Sequence, residues 1–106
     1  MLEKLFKSDK EQFGAFEENV NRYKGMSNQY QAQLHFKLGN RVLMENFLDK
    51  ATNFYADLPI ERARLLEISA SMHHDLGEYN IALTELNTGL KITEAVSYTH
   101  LRAHET

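Results

Sequence analysis

The stretch LLEISASMHHDLGEYNIALTELNTGL, residues 65–90, decides the fold. Apolar residues recur in it at spacings of three and four on both sides of Gly77 and Glu78, which predicts two helices joined by a short corner. Such a short connection makes neighbouring helices antiparallel. Two helices pack closely only where a small side chain lies at their crossing, and Ala70 facing Ala82 would supply it.

Each of these two helices is expected to bury one stripe of side chains. Pro59 fits the first turn of the earlier helix, where its missing N–H costs nothing. The expected stripes are Ala63, Leu66, Ala70, His73 and Leu76 on the first helix, and Tyr79, Ala82, Leu83, Leu86 and Leu90 on the second.

This spacing resembles a tetratricopeptide repeat, a helix–turn–helix unit of about 34 residues. The matching residues are Gly77 at the turn, Tyr79 at the start of the second helix, Ala82 and Gly89 at its small positions, Leu86 at its large one, and Leu66 and Ala70 on the first helix. His73 stands where the family usually has tyrosine, and Glu94 where its terminal proline would fall. The resemblance covers about residues 63–95.

A degenerate copy of the repeat lies upstream, in KLGNRVLMENFLDKA, residues 37–51. Its Leu38–Gly39 pair precedes Leu76–Gly77 by 38 residues, and Met44 replaces the small alanine. Three helices are predicted before Pro59: 11–25, stopped by Gly25; 27–39, capped by Ser27 and ended by Gly39; and one capped by Asn40. Their expected apolar stripes are Phe13, Phe16, Val20 and Tyr23; Tyr30, Leu34 and Leu38; and Leu43, Phe47, Ala51, Phe54 or Tyr55, and Leu58.

The fold class predicted from these patterns is all-α, with about five helices in antiparallel hairpins of a tetratricopeptide-like α-solenoid. The chain of 106 residues is expected to form one small domain, over residues 1–95.

The last residues, 96–106, read VSYTHLRAHET and form a separate segment. Val96 and Ser97 are poor helix formers, so we expect the helical stripe not to continue here. The string resembles the translation of a common sequencing adapter. This resemblance implies a non-native tail on a fragment whose natural sequence continues past Ala95.

Composition excludes several functional classes. The sequence has no cysteine, which rules out disulfides, thiolate metal sites and cysteine nucleophiles. Its 12 basic residues are scattered and outnumbered by 15 acidic ones, so no direct contact with nucleic acid and no membrane attachment are expected. No secretory signal is evident at the start, which favours the cytoplasm.

Two pairs of histidines are candidate metal ligands. His73 and His74 are adjacent and point about 100° apart on a helix, so they cannot chelate one ion well. We expect His73 in the core with its ring hydrogen-bonded to a neighbour, and His74 outside. His100 and His104 have the i, i+4 spacing of zinc ligands, but no third ligand lies beside them.

No catalytic constellation is present in the sequence. It has no glycine-rich phosphate loop and no serine in a nucleophile elbow. We therefore expect no enzyme, no cofactor and no metal.

The resemblance implies a peptide-binding groove along the first helix of the repeat. The positions that carry it are Arg64, Glu67, Ser71, His74 and Asp75. The family's clamp for terminal carboxylates uses lysine and asparagine at two of these places, where this chain has Glu67 and Ser71. Recognition of a carboxylate terminus is therefore not expected.

The expected function is non-catalytic binding of a protein or peptide partner. An alternative is a sensor or regulatory segment of a larger bacterial signalling or transcription-regulating protein whose output domain is missing. A third possibility is a plain helical bundle.

Overall fold

The computed structural model describes the backbone of residues 2–105 and the side chains of residues 9–99. This part of the chain is all-α and contains four helices and no strand: α1 (Leu2–Lys37), α2 (Arg41–Phe54), α3 (Pro59–Asp75) and α4 (Tyr79–Glu105). The predicted fold class is confirmed as all-α.

The first two predicted helices are a single helix of 36 residues. Gly25 does not stop it and Ser27 does not cap a new one, so both of these predictions are wrong. Gly25 is buried, and a Cβ atom at this position would lie only 2.6 Å from Cδ1 of Tyr55. This glycine therefore allows close helix packing, a role that its place in the sequence does not distinguish from a helix end.

The corners follow the predicted chemistry. Gly39 and Gly77 have φ of 74° and 81°, the left-handed conformation that glycine adopts without steric cost. The Asn40 side chain accepts a hydrogen bond from the backbone N–H of Leu43 at 3.2 Å and caps α2. Pro59 begins α3, as predicted.

Two helical hairpins make up the structure. The first hairpin is α1 with α2 and the second is α3 with α4, and α3 also contacts both helices of the first hairpin. Arg41 and Glu78, at the corners of the two hairpins, form an ion pair of 2.5 Å. One apolar cluster joins the hairpins, and its buried members are Ala32, Met44, Leu48, Ala51, Tyr55, Leu58, Leu65 and Met72.

Helix α3 is buried on two faces, not one. Ala70 and His73 are buried as predicted, but Leu76 is exposed and Leu65 and Met72 are buried in the cluster with α1 and α2. The single predicted stripe misses this second face because α3 lies between α4 on one side and the first hairpin on the other. A helix with neighbours on two sides has no single apolar face for a 3.6-residue period to reveal.

Most of the stripe predicted to be buried on α4 is exposed. Ala82 is buried, but the large side chains of that stripe face solvent: Tyr79, Leu83, Leu86 and Leu90. The same correction applies to α1 and the corner after it, where the exposed members are Phe13, Phe16, Tyr23, Tyr30, Leu34 and Leu38. These residues have the spacing of a core, but they stay exposed in the part of the chain that the structure describes.

Buried positions recur at equivalent places of the two hairpins. Residues 38 positions apart share burial: Ala32 with Ala70, Ala51 with Gly89, and Met44 with Ala82. Gly39 and Gly77, also 38 apart, share the left-handed conformation. The two hairpins therefore share a spacing of 38 residues at these positions.

Helix α4 continues through the segment that was expected to leave the helical pattern and ends at Glu105. The reason is that Val96 and Ser97 lower helix propensity by only a few tenths of a kcal/mol each, and no glycine or proline follows Gly89. The Thr99 hydroxyl also donates to the carbonyl of Ala95 at 2.9 Å. The side chains of His100 and His104 lie outside the described residues.

Candidate functional site

The five residues predicted to line a binding groove all lie on the exposed side of α3. Arg64, Glu67, Ser71, His74 and Asp75 follow one another at spacings that keep them on one side of the helix. All five are exposed, because the other two sides of α3 face α4 and the first hairpin. This side of α3 is therefore accessible to solvent.

The structure brings two of the five into a groove between α3 and α4. Arg64 and Glu67 form part of its rim, whereas Ser71, His74 and Asp75 do not line it. The groove has a volume of about 400 Å³ and is lined by Ile60, Ala63, Arg64, Glu67, Leu86, Gly89, Leu90 and Thr93. We call it the α3–α4 groove.

The floor of the α3–α4 groove is made where the two helices approach most closely. Gly89 is buried, and a Cβ atom added to it would lie 3.5 Å from the carbonyl oxygen of Ala63 and 3.6 Å from Cβ of Leu66. These are ordinary van der Waals distances, so an alanine would fit at position 89, whereas a longer side chain would extend against α3. A small residue at this position therefore keeps the floor of the groove low, in the small position that the repeat resemblance assigned to it.

The walls of the α3–α4 groove are apolar and its rim is charged. Leu86 and Leu90 are 48% and 57% exposed, far more than is usual for leucines spaced like a helix core. Arg64 and Glu67 place charges of opposite sign one helical turn apart at the edge. Such a surface can hold apolar side chains of a partner while hydrogen bonds to the rim fix its position.

The far end of α3 forms a second, more polar surface. The rings of His74 and Tyr79 meet edge to face with centroids 5.1 Å apart, and His74 Nδ1 lies 3.5 Å from Asp75 Oδ1. Both side chains of that ion pair are well exposed, so it contributes little stability. The predicted groove residues therefore divide into an apolar groove at one end and a polar patch at the other.

His73 forms a buried polar cluster that joins three helices. Its Nδ1 lies 2.5 Å from Oε1 of Glu85 on α4, and its Nε2 lies 2.6 Å from Oε1 of Glu45 on α2. Ser69 Oγ is 3.3 Å from the same Nδ1. The expectation that His73 packs in the core with its ring bonded to a neighbour is confirmed.

The two carboxylates set the charge of this imidazole. Burial lowers the pKa of His73, but the hydrogen bonds to Glu45 and Glu85, together with their negative charges, outweigh burial and raise the pKa above its usual value. Both ring nitrogens face carboxylate oxygens, and only the protonated ring donates from both. Below its raised pKa, His73 is an imidazolium that bridges the two glutamates.

Sequence reasoning found His73 but not its partners. Glu45 is 28 residues away and Glu85 is 12, and neither separation is a helical repeat distance. Asp49 lines the same small cleft of about 90 Å³ and adds a third carboxylate to its surroundings. The one available signal was the polar residue itself, which stands on an otherwise apolar helix face and needs a buried partner.

A larger apolar cleft lies where the start of α3 meets the later part of α4. It measures about 590 Å³ and is lined by Pro59, Arg62, Lys91, Ile92, Ala95, Val96 and Thr99. Val96 and Thr99 belong to the segment that resembles an adapter translation. We therefore assign no function to this cleft.

The described residues contain no cluster of three or more His, Asp or Glu side chains suited to a metal ion. None of the helices in this part of the chain combines the length and apolarity that crossing a membrane requires. Comparisons with protein-family models, with curated proteins and with solved structures found no match to this chain.

Proposed function

We propose that this chain is a non-catalytic helical-repeat module that binds a polypeptide partner in the α3–α4 groove. The observation that carries the proposal is the exposed apolar wall of that groove, formed by Leu86 and Leu90 beside the charged rim of Arg64 and Glu67. Exposed apolar surface rimmed by polar residues is typical of protein interaction sites.

The chemistry of the groove defines the partner that fits it. Leu86, Leu90 and Ile60 would contact two or three apolar side chains spaced along one face of a helix or along an extended segment. Arg64 and Glu67 would pair with an acidic and a basic group beside them. The partner is therefore an amphipathic segment with charges of both signs, not a strongly charged tail.

The 38-residue register between the hairpins supports a repeat architecture of the tetratricopeptide kind. Buried small residues recur at equivalent positions, and the tight corners at Gly39 and Gly77 share one backbone conformation. In repeat proteins each unit contacts its neighbours and the exposed helix surfaces bind partners. The proposed binding surface is such a helix surface.

Selection from a peptide-display library on the immobilised protein, followed by calorimetry of the selected peptides, tests the proposal. The Leu90→Glu variant should bind a selected peptide at least about 10-fold more weakly, because it places a charge in the apolar wall. Glu67→Lys should weaken the binding of peptides that carry a basic group and should not change the binding of peptides that lack one. Circular dichroism would verify that each variant remains helical.

Asn87→Glu is the matched control. Asn87 is exposed on α4 next to Leu86 but does not line the groove, so this variant should bind like the original protein. The proposal fails if no peptide is selected, or if selected peptides bind Leu90→Glu and Glu67→Lys as well as they bind the original protein.

A further inference from the structure

The contact between the two hairpins provides a template for a contact between molecules. Helix α3 places Leu65, Ile68 and Met72 in the apolar cluster that it shares with α1 and α2. On the receiving side, α2 contributes Leu48 and Ala51. Because the second hairpin repeats the first after 38 residues, both sides of this contact have counterparts elsewhere in the chain.

The counterpart of the donating side lies on α1. Subtracting 38 from Leu65, Ile68 and Met72 gives positions 27, 30 and 34, which are Ser27, Tyr30 and Leu34. Tyr30 and Leu34 are 58% and 53% exposed, and Tyr23 on the same helix is exposed as well. We call Tyr23, Tyr30 and Leu34 the head face.

The counterpart of the receiving side lies on the second hairpin. Adding 38 to Leu48 and Ala51 gives Leu86 and Gly89, and adding 38 to Glu45 gives Leu83. Leu86 and Leu83 are exposed, although Leu48 is buried under α3. We call Ile60, Leu83 and Leu86 the tail face.

Three of the four residues that form ion pairs in the internal contact have counterparts with large apolar or aromatic side chains. Arg22 and Glu61 pair at 3.0 Å between α1 and α3, and their counterparts are Ile60 on the tail face and Tyr23 on the head face. Glu45 pairs with His73. The counterpart of Glu45 is Leu83, and that of His73 is His35, a half-buried residue of α1 whose ring stacks on Phe47. The two uncovered faces therefore complement each other through apolar contact, where the internal contact uses ion pairs.

We propose that copies of this chain associate head to tail, with the head face of one copy packed on the tail face of the next. The second copy's α1 would lie on the second hairpin of the first copy in the way that α3 lies on the first hairpin. Ile60 and Leu86 belong to both the tail face and the α3–α4 groove, so a second copy and a peptide partner would bind the same surface.

A contact between two different faces leaves one free head and one free tail in every assembly. Such heterologous contacts do not close after two subunits unless the rotation forms a ring, so the assemblies grow with concentration. The weight-average mass should therefore rise above the 12.3 kDa of one chain and continue past the mass of a dimer.

Sedimentation velocity of the full chain tests this, from low micromolar to about 1 mM. Tyr30→Glu and Leu86→Glu should each remain monomeric at concentrations where the original protein assembles. Asn46→Glu, an exposed α2 substitution outside both faces, should assemble like the original protein. Tyr30 and Leu86 are both about half exposed, so we expect both variants to fold. Circular dichroism would verify that each variant remains helical.

Mixing the two blocked variants gives the decisive result. Tyr30→Glu keeps an intact tail and Leu86→Glu an intact head, so an equimolar mixture should form a heterodimer and nothing larger. A symmetric dimer that stops at two copies, a mixture that stays monomeric, or an original protein that is monomeric throughout would each overturn the proposal.

The same variants separate this inference from the proposed function. Tyr30 lies on α1, far along the chain from the α3–α4 groove, so Tyr30→Glu should still bind the selected peptides. Peptide binding without self-association overturns the head-to-tail contact alone. Self-association of the original protein, without any peptide selected on the monomeric Tyr30→Glu variant whose groove is free, overturns the peptide-binding function alone.

Discussion

The imidazole of His73 lies between two carboxylates, 2.5 Å from Glu85 and 2.6 Å from Glu45. It is only 4% exposed, and it joins α2, α3 and α4 at one point. A buried charge is tolerated in a protein interior only when partners compensate for its lost hydration. His73 therefore stabilises the contact between the two hairpins as long as its ring is protonated.

Stability should fall as the pH rises through the raised pKa of His73. Below the ordinary histidine pKa of about 6.5 the ring is protonated in both folded and unfolded chains, and its stabilising contribution is fully present. Above it the unfolded chain loses the proton first, so folding must bind a proton and the free energy of unfolding decreases until the folded ring also titrates. Urea denaturation at pH 6 to 9 measures this slope.

Glu85→Gln is the diagnostic variant for this effect. It should reduce the free energy of unfolding at pH 6 by about 1–3 kcal/mol and flatten the slope between pH 6 and 9. Glu94→Gln, an exposed substitution on the same helix, should preserve both. An unchanged slope in Glu85→Gln would contradict the imidazolium bridge.

Helix α1 contains two glycines that have different effects on its stability. Gly14 and Gly25 both lie inside this helix, and glycine there costs up to about 1 kcal/mol relative to alanine. Gly14 has open space around it, whereas Gly25 lies against the ring of Tyr55, which is 1% exposed. At Gly25 the loss of helix propensity is offset by close packing against Tyr55, the residue that follows α2.

Alanine substitutions at the two glycines should therefore have opposite signs. Gly14→Ala should raise the free energy of unfolding by about 0.5–1 kcal/mol through helix propensity. Gly25→Ala should lower it by about 1–3 kcal/mol, because the new methyl group overlaps a buried ring that has no room to move. Thermal or urea unfolding of both variants checks this, and equal effects would show that Gly25 has no packing role.

The whole molecule is long and thin, with Cα extents of 59 × 32 × 13 Å. So little thickness leaves few positions that are enclosed on all sides, and the interior is concentrated in the one cluster that joins the hairpins. Apolar stripes on α1 and α4 stay uncovered because no further helix of the described chain lies over them. Stability therefore depends on a few central side chains.

Leu65 is the central side chain whose removal should matter most to the joined hairpins. Leu65→Ala should lower the free energy of unfolding by about 2–4 kcal/mol, since the side chain is 2% exposed and lies in the cluster shared with α1 and α2. Leu38→Ala, at a largely exposed leucine, should change it by less than about 0.5 kcal/mol. Similar losses in the two variants, measured by urea unfolding, would show that the hairpins are not held by this cluster.

Local chemistry determined the helices, their corners and their caps. Apolar spacing predicted an all-α chain, and Gly39, Asn40, Pro59 and Gly77 end or begin helices where sequence reasoning placed them. These features depend on backbone conformation and on hydrogen bonds between near neighbours in the chain, so single residues reveal them. The same local rules overestimated the tendency of Gly25, Val96 and Ser97 to end a helix.

Tertiary structure alone decided which apolar stripes are covered and which polar residues meet. Leu65 and Leu86 look alike in the sequence, yet one is buried between hairpins and the other lines an open groove. Glu45, His73 and Glu85 form one cluster across separations that carry no periodic signal. The physical reason is that a helix repeat specifies a face, whereas burial requires a second surface, and only the packing of distant elements supplies it.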